Sequence, residues 1–196
     1  MEGEHKGSLN GVEKEKVVAK AGSVSVSAFD LVMRLLGLTL TLAAAVIIGV
    51  DKQTKVVPIT FIDSLPPIHL PLTAKWYHMS AFLYFLVTNA IACTYAALTL
   101  ALGLVNKGKG KCKRLSIFIV FLDGVMVALL FSGIGATAAV GVLGYKGNSY
   151  VQWKKVCNVF DKFCYQVGAS LVVSLIGSLA FLLLLLLPLV RLQRTT

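Results

Sequence analysis

The chain carries little charge for its length, and little of that charge is negative. Only 14% of its 196 residues are charged, and 19 lysines and arginines stand against nine acidic residues. Polar segments are also short, and the longest is the N-terminal tail, residues 1–28. A soluble globular domain has about 25% charged residues. The composition therefore excludes a separate soluble domain and predicts one membrane domain behind a disordered cytoplasmic tail.

Motifs typical of catalysis, metal binding or cofactor binding are also missing. The sequence contains no Gly-x-Ser-x-Gly, no phosphate-binding loop and no paired set of carboxylates, the usual signatures of hydrolytic and nucleotide chemistry. The histidines His5, His69 and His78 are scattered, and no cysteine and histidine spacing fits a metal site. We therefore predict a protein that is not an enzyme and that has neither a metal nor a cofactor.

Hydrophobic sequence, by contrast, makes up 57% of the chain. Most of it lies in four long apolar runs, roughly residues 29–50, 76–105, 115–144 and 166–190. Each run exceeds the about 20 residues that carry a helix across a hydrocarbon core about 30 Å thick. The sequence therefore predicts an all-α membrane protein, a four-transmembrane-helix bundle over residues 29–192 with a cytoplasmic C-terminus at residues 193–196.

The basic residues indicate how these spans are oriented. A formal net charge of +10 would suggest nucleic acid in a soluble chain, but lysine and arginine sort to the cytoplasmic side of membrane proteins. If the termini and the central loop share one side, that side holds eleven basic residues and the other side seven. The central loop contributes Lys107, Lys109, Lys111, Lys113 and Arg114. We therefore predict that both termini are cytoplasmic and that no nucleic acid is bound.

Two charged residues lie well inside the apolar runs, whereas Asp30 stands at the edge of the first run. Arg34 is about one turn inside the first span and Asp123 about two turns inside the third. A charge at a helix centre costs about 2.5–3.5 kcal/mol, so each of them is expected to have a partner. Spans one and three run in the same direction, and the helical rise places the two charges about 7 and 12 Å above the cytoplasmic boundary. An arginine side chain can cover that difference.

Three interpretations of these charges remain open. The first is an intramembrane ion pair between Arg34 and Asp123, which fixes the helices that touch. The second is a local pair between Asp30 and Arg34, which are four residues apart on one helix. The third is a proton or ion pathway, since ionisable residues in spans often mark one.

Small residues recur at four-residue spacing in three of the spans. Such stripes let helix backbones approach closely, which is the main attraction between helices in lipid. They fit packing within one bundle and also lateral contact between copies of the chain. The stripes are Gly37, Thr41, Ala45 and Gly49; Gly124, Ala128, Ser132 and Ala136; and Ser170, Ser174 and Ser178.

The four cysteines have different surroundings. Cys157 and Cys164 fall in the second outer loop, on an oxidising side, where we predict a disulfide. A continuous helix would hold them about 10 Å apart, beyond bridging range, so the bridge requires a turn between them. Cys112 lies in the basic central loop beside span three, which fits palmitoylation or an ordinary free thiol. Cys93 lies within span two, where we expect it to be a small buried hydrophobic residue.

Taken together, these features resemble the Casparian strip membrane domain proteins of land plants. The resemblance rests on two cytoplasmic termini, on Arg34 and Asp123 in spans one and three, and on the loop residues Trp153, Cys157, Phe160 and Cys164. Segments 51–58 and 71–76 are similar to the Casparian-strip-like (CASP-like) subgroup 1. The similarity covers residues 28–192.

This resemblance implies a MARVEL-related four-span fold and a place in the plasma membrane. Members are described as scaffolds that form homo- and heteromeric assemblies in the lipid bilayer, and the founding members recruit cell-wall enzymes. Arg34 and Asp123 match the family's intramembrane charges, and Cys157 and Cys164 its loop cysteines. The first outer loop lacks the stretch that marks strip-forming members, so a general scaffold is expected rather than an endodermal barrier. A transporter or channel subunit is the alternative.

Overall fold

In a computed structural model, the described parts of the chain are residues 28–59, 68–105, 113–150, 153 and 155–194. Four helices make up most of them: α1 (Ala28–Gly49), α2 (Ser80–Val105), α3 (Lys113–Lys146) and α4 (Asp161–Arg194). Each is long and apolar enough to cross a membrane. The predicted all-α membrane protein with four spans packed as a bundle is therefore confirmed. The predicted disordered tail and Cys112 fall outside the described residues.

The helices alternate in direction along the chain. The Thr137 hydroxyl near the end of α3 donates to the carbonyl of Ala81 at the start of α2, 3.2 Å away, so α2 and α3 are antiparallel. On α1 and α4, Gly37 lies against Phe181 while Thr41 lies against Gly177, which makes this pair antiparallel too. Helices α2 and α4 are parallel, because Asn89 contacts Ser174 and Tyr95 contacts Phe181. Spans one and three therefore point the same way, which allows charges at similar depths on them to meet.

Helix α4 begins earlier than the apolar run that predicts it. It starts at Asp161, five residues before position 166. A carboxylate in the first turn complements the partial positive charge of a helix N-terminus, so a polar first turn is compatible with the helix. Residues 161–165, which begin with Asp161 and Lys162, thus extend the helix beyond the predicted apolar run.

A β-hairpin connects α1 to α2. Strands β1 (Lys52–Ile59) and β2 (Ile68–Lys75) pair antiparallel, from Lys52 opposite Lys75 to Ile59 opposite Ile68. We call this end of the bundle the hairpin end, and the end at which α1 begins and α4 finishes the termini end. A 3-10 turn, Trp76–His78, then leads into α2.

Two side chains of β1, Gln53 and Lys55, hold the hairpin onto α4. The Gln53 carbonyl oxygen accepts a hydrogen bond from the backbone N–H of Phe163 at 2.9 Å, and the Lys55 ammonium lies 2.8 Å from the Asp161 carboxylate. The Gln53 amide also donates to Asp161. A two-stranded hairpin alone is marginally stable, so these contacts fix its position at the mouth of the bundle.

The core consists of two apolar clusters stacked along the bundle. The cluster at the hairpin end includes Ala44, Ile48, Phe82, Phe85, Phe160, Phe163 and Val167. The cluster at the termini end includes Ala92, Tyr95, Ala96, Met126, Leu130, Phe181 and Leu184. Large apolar side chains also remain exposed along every helix, for example Leu42 on α1 and Leu98 on α2. Exposed apolar surface around the whole bundle is what a lipid environment requires.

Candidate functional site

The two intramembrane charges meet inside the bundle at its termini end. Arg34 on α1 is 7% exposed and Asp123 on α3 is 1% exposed. The guanidinium faces the carboxylate in a forked arrangement, with Nη2 3.1 Å from Oδ2 and Nη1 3.3 Å from Oδ1. Two parallel charge-assisted hydrogen bonds of this kind fix geometry as well as adding energy. The pair therefore ties α1 to α3 in one relative position.

Helix α2 completes the pair with two hydroxyl groups. The Tyr95 hydroxyl lies 2.7 Å from Asp123 Oδ1 and donates to it, and the same hydroxyl is 3.0 Å from the Ile119 carbonyl. The Thr99 hydroxyl accepts from Arg34 Nη1 at 3.1 Å. Tyr95 and Thr99 are four residues apart and so share one helix face. We call Arg34, Tyr95, Thr99 and Asp123 the polar cluster.

The local partner considered for Arg34 is present as well. Arg34 Nε lies 3.4 Å from Asp30 Oδ2, one turn earlier on α1. The Asp30 side chain is 42% exposed, whereas Asp123 is enclosed. The two pairings thus coexist rather than compete. Asp30 contacts the guanidinium from the side of the bundle surface, and Asp123 contacts it from within.

The polar cluster also determines which face of α3 points inward. A row at alternating three- and four-residue spacing is buried: Asp123, Met126, Leu130, Gly133 and Thr137. A Cβ at Gly133 would lie 2.6 Å from the Thr88 hydroxyl of α2, so α2 and α3 touch where only glycine fits. On the opposite face, another row is exposed: Ala128, Ser132, Gly135 and Ala139.

The small-residue stripes of α1, α3 and α4 therefore have different surroundings. The three serines of the α4 stripe are fully buried, and so is Thr41 of the α1 stripe. A Cβ at Gly177 would lie 3.3 Å from Leu40 Cβ, so α1 and α4 approach closely. In the α3 stripe, Ala128 and Ser132 are exposed and Gly124 and Ala136 are half-buried. The neighbouring Gly135 is also exposed, with no heavy atom within 4 Å of a Cβ built there.

A second polar contact joins α2 to α4 in the middle of the bundle. The Ser174 hydroxyl donates to the Asn89 side-chain oxygen at 2.9 Å, and the Asn89 amide donates to the Phe85 carbonyl. Both side chains are fully buried. The other stripe serines, Ser170 and Ser178, donate instead to carbonyls of their own helix. A hydrogen bond between helices is worth about 0.6–2 kcal/mol in a membrane.

Cys157 and Cys164 form a disulfide at the hairpin end, with their Cα atoms 5.7 Å apart. The chain turns at residues 156–160 before α4 begins at Asp161. That turn brings Cys157 back beside the first turn of the helix. Cys93 is a free thiol, partly buried in α2.

Asp51, at the junction between α1 and β1, is a buried charge that sequence reasoning missed. Its residue is fully buried, and neither carboxylate oxygen has a hydrogen-bond partner among the described residues. Burial raises the pKa of Asp51 to about 6, against an opposing effect of Lys162. An acidic residue just after an apolar span normally faces solvent, so nothing in the sequence indicates that Asp51 is buried.

The signal for the rest of the polar cluster was also weak. Thr99 lies in a span whose threonines can bond to their own backbone, and Thr99 does so as well. Tyrosine is common near membrane interfaces. Only the four-residue spacing of the two hydroxyls places them on one face, and it does not indicate which face.

Comparison with known proteins agrees with this four-span organisation. Residues 23–180 match the model of the Casparian strip membrane protein domain. The chain is 66% identical to CASP-like protein 1E2 of Glycine max over 187 residues, which is 95% of this chain and 99% of that protein. It is 55% identical to CASP-like protein 1E1 of Vitis vinifera, over 94% of this chain and 91% of that protein. It is 45% identical to CASP-like protein 1E2 of Arabidopsis thaliana, over 98% and 100%. No solved structure shows a significant match.

Proposed function

The chain belongs to the Casparian strip membrane protein family, in its CASP-like subgroup 1, and we propose that it is a non-enzymatic plasma-membrane scaffold. In this proposal, copies of the chain and of related proteins associate laterally, and the assembly organises a membrane domain or holds cell-wall-modifying partners. The supporting observation is the orientation of α3. The polar cluster turns one face of α3 inward, which leaves the small-residue face towards lipid.

That exposed face suits contact with another helix. Ala128, Ser132, Gly135 and Ala139 follow helical spacing, and larger exposed side chains such as Phe121 and Val142 lie beyond both ends of the row. Packing between helices in lipid depends on close backbone approach, which small side chains allow. The α4 stripe and half of the α1 stripe are buried inside the bundle, so among the three stripes it is that of α3 which offers exposed small residues to a neighbouring copy.

We further propose that the termini lie in the cytoplasm and that the hairpin end faces outward. Two observations support this orientation. The disulfide at the hairpin end fits an oxidising compartment, and the termini side carries more basic residues, as cytoplasmic segments do. A pH-sensitive fluorescent tag on the C-terminus tests it. The tag should be unaffected by a change of external pH in intact cells, and quenching by external acid contradicts the orientation.

Gly135→Leu tests the scaffold proposal, because leucine there would hold a second helix away. The matched control is Gly103→Leu on α2, since Gly103 is also exposed and also has no heavy atom within 4 Å of a Cβ. Photobleaching of a tagged copy in plant plasma membrane should show slow recovery for the wild type and for Gly103→Leu. Gly135→Leu should recover several-fold faster and co-purify less of a second copy carrying another tag.

Two outcomes contradict the proposal. One is wild-type protein that diffuses as fast as a monomeric four-span marker. The other is purified wild-type protein that carries ions or small solutes across liposome membranes, which favours the transporter or channel alternative.

A further inference from the structure

An apolar cavity lies at the hairpin end between the start of α2, the end of α3 and the start of α4. Its volume is about 340 Å³, which is within the size range of pockets that hold small ligands. Its wall includes Phe82, Phe163, Val167 and Leu171, together with the Cys157–Cys164 disulfide. These residues come from two helices and from the loop that the disulfide holds against them, so the cavity belongs to the folded bundle.

Glycines keep part of this wall open. Gly141 on α3 and Gly168 on α4 line the cavity, and a Cβ at either position would meet no heavy atom within 4 Å. At Gly144, the nearest atom to a Cβ would be the Cys157 sulfur, 3.7 Å away. The two helices are thus separated at this level rather than packed together.

The rim of the cavity carries positive charge. Lys146 belongs to the lining and is exposed. The backbone turns at Gly147, which has φ of 71°, and Lys155 lies beside that turn, with its Cγ 3.3 Å from a Cβ built there. Neither lysine takes part in an ion pair within the described part of the chain. None of the described residues that line the cavity is acidic.

The position of the cavity indicates what can occupy it. Tyr145 and Trp153 line it and are 70% and 42% exposed, and such amphipathic rings settle at the level of lipid headgroups. Just below that level a membrane supplies hydrocarbon chains. An apolar cavity left empty there loses the dispersion contacts that its wall atoms would otherwise make.

We propose that this cavity binds one acyl chain of a membrane phospholipid, whose phosphate contacts Lys146 and Lys155. The apolar wall suits the chain, and the ammonium groups of these two lysines, which form no ion pair with the described residues, suit an anionic phosphate. The proposed lipid site lies between the end of α3 and the start of α4. It does not depend on lateral self-association, so either proposal can fail while the other stands.

A photoactivatable lipid tests the site directly. The full-length protein is placed in phosphatidylcholine vesicles that contain a trace of phosphatidylcholine with a diazirine on one acyl chain. After irradiation, mass spectrometry locates the labelled residues. Labelling at Val167 and Leu171 should exceed, by several-fold, labelling at Ile176 and Leu179, which are exposed on the lipid-facing side of the same helix.

Two variants fill the cavity independently. Gly168→Leu and Gly141→Leu should each reduce the cavity labelling to the level of Ile176 and Leu179, whose own labelling reports that the bundle still sits in the membrane. Gly103→Leu, on the far part of α2, should leave the cavity labelling unchanged. Equal labelling of cavity and lipid-facing positions in the wild type, or undiminished cavity labelling in both glycine variants, overturns the proposal.

A second probe tests the role assigned to the phosphate. A diacylglycerol with the same diazirine chain has no phosphate. Replacing both rim lysines, Lys146→Gln with Lys155→Gln, should lower cavity labelling by the phosphatidylcholine probe several-fold while leaving labelling by diacylglycerol unchanged. An equal effect on both probes, or an effect on neither, overturns the assignment of the phosphate to these lysines.

Discussion

Two buried carboxylates, one towards each end of the bundle, have opposite surroundings. Asp123 at the termini end is enclosed by three donor groups, two from the Arg34 guanidinium and one from the Tyr95 hydroxyl. Asp51 at the hairpin end is equally enclosed, yet its carboxylate has no hydrogen-bond partner among the described residues. Burial alone therefore does not show whether a buried charge stabilises the fold or destabilises it. The partners that converge on it do.

The difference shows what each end contributes to the bundle. An ion pair with further hydrogen bonds can hold its charge inside a low-dielectric interior, and removing one member leaves the other uncompensated. An unpaired carboxylate is instead displaced towards its neutral form, which is why the pKa of Asp51 rises to about 6. The termini end thus fixes the arrangement of α1, α2 and α3. At the hairpin end, the disulfide and the hairpin contacts hold the loop and the hairpin against α4.

The largest effect is expected from removing one member of the ion pair. Arg34→Leu or Asp123→Leu should lower the free energy of unfolding by about 3–5 kcal/mol, because each leaves a buried charge without its partner. Thermal unfolding in detergent micelles and delivery of a tagged copy to the plasma membrane measure it. Phe121→Leu, on the lipid-facing side of α3, is the control and should behave as wild type. If the single variants have the same free energy of unfolding as this control, the stabilising role of the Arg34–Asp123 pair is contradicted.

At the hairpin end, Asp51→Asn should raise the free energy of unfolding, and the size of the increase should depend on pH. The carboxyl has a pKa near 3.9 in an unfolded chain and about 6 in the folded protein. Wild-type stability should therefore fall as pH rises from about 4 through about 6, because the unfolded state ionises more easily. Relative to wild type, the variant should gain up to about 3 kcal/mol at pH 7 and nothing below pH 4. A difference between the two that stays constant with pH contradicts this account.

A smaller loss is expected for the neutral contact between α2 and α4. Ser174→Ala removes the donor to the Asn89 oxygen and should cost about 1–2 kcal/mol. Ser178→Ala is the matched control, since Ser178 is on the same buried stripe but donates to the Leu175 carbonyl of its own helix. The control should lose less in the same unfolding experiment. Equal losses would show that the contact between helices adds nothing beyond the burial of a hydroxyl.

The sequence predicts the bundle better than it predicts its polar interior. Long apolar runs specify the four spans by length alone, and two charges at similar depths on co-directional spans suggest that they meet. The hydroxyls of Tyr95 and Thr99 could not be assigned, because a polar side chain in a span can face the interface, its own backbone or a neighbour. Asp51 lies where a loop normally meets water, although the fold buries it fully.

The central claim is that Arg34 and Asp123 stabilise the bundle by acting on each other, and exchanging the two charges tests it most directly. Arg34→Asp and Asp123→Arg are made singly and together, and the free energy of unfolding of all four proteins is measured in the same micelles. The account predicts that the double variant recovers part of the loss, with a coupling of at least about 1 kcal/mol between the positions. Losses that add to within about 0.5 kcal/mol would contradict it.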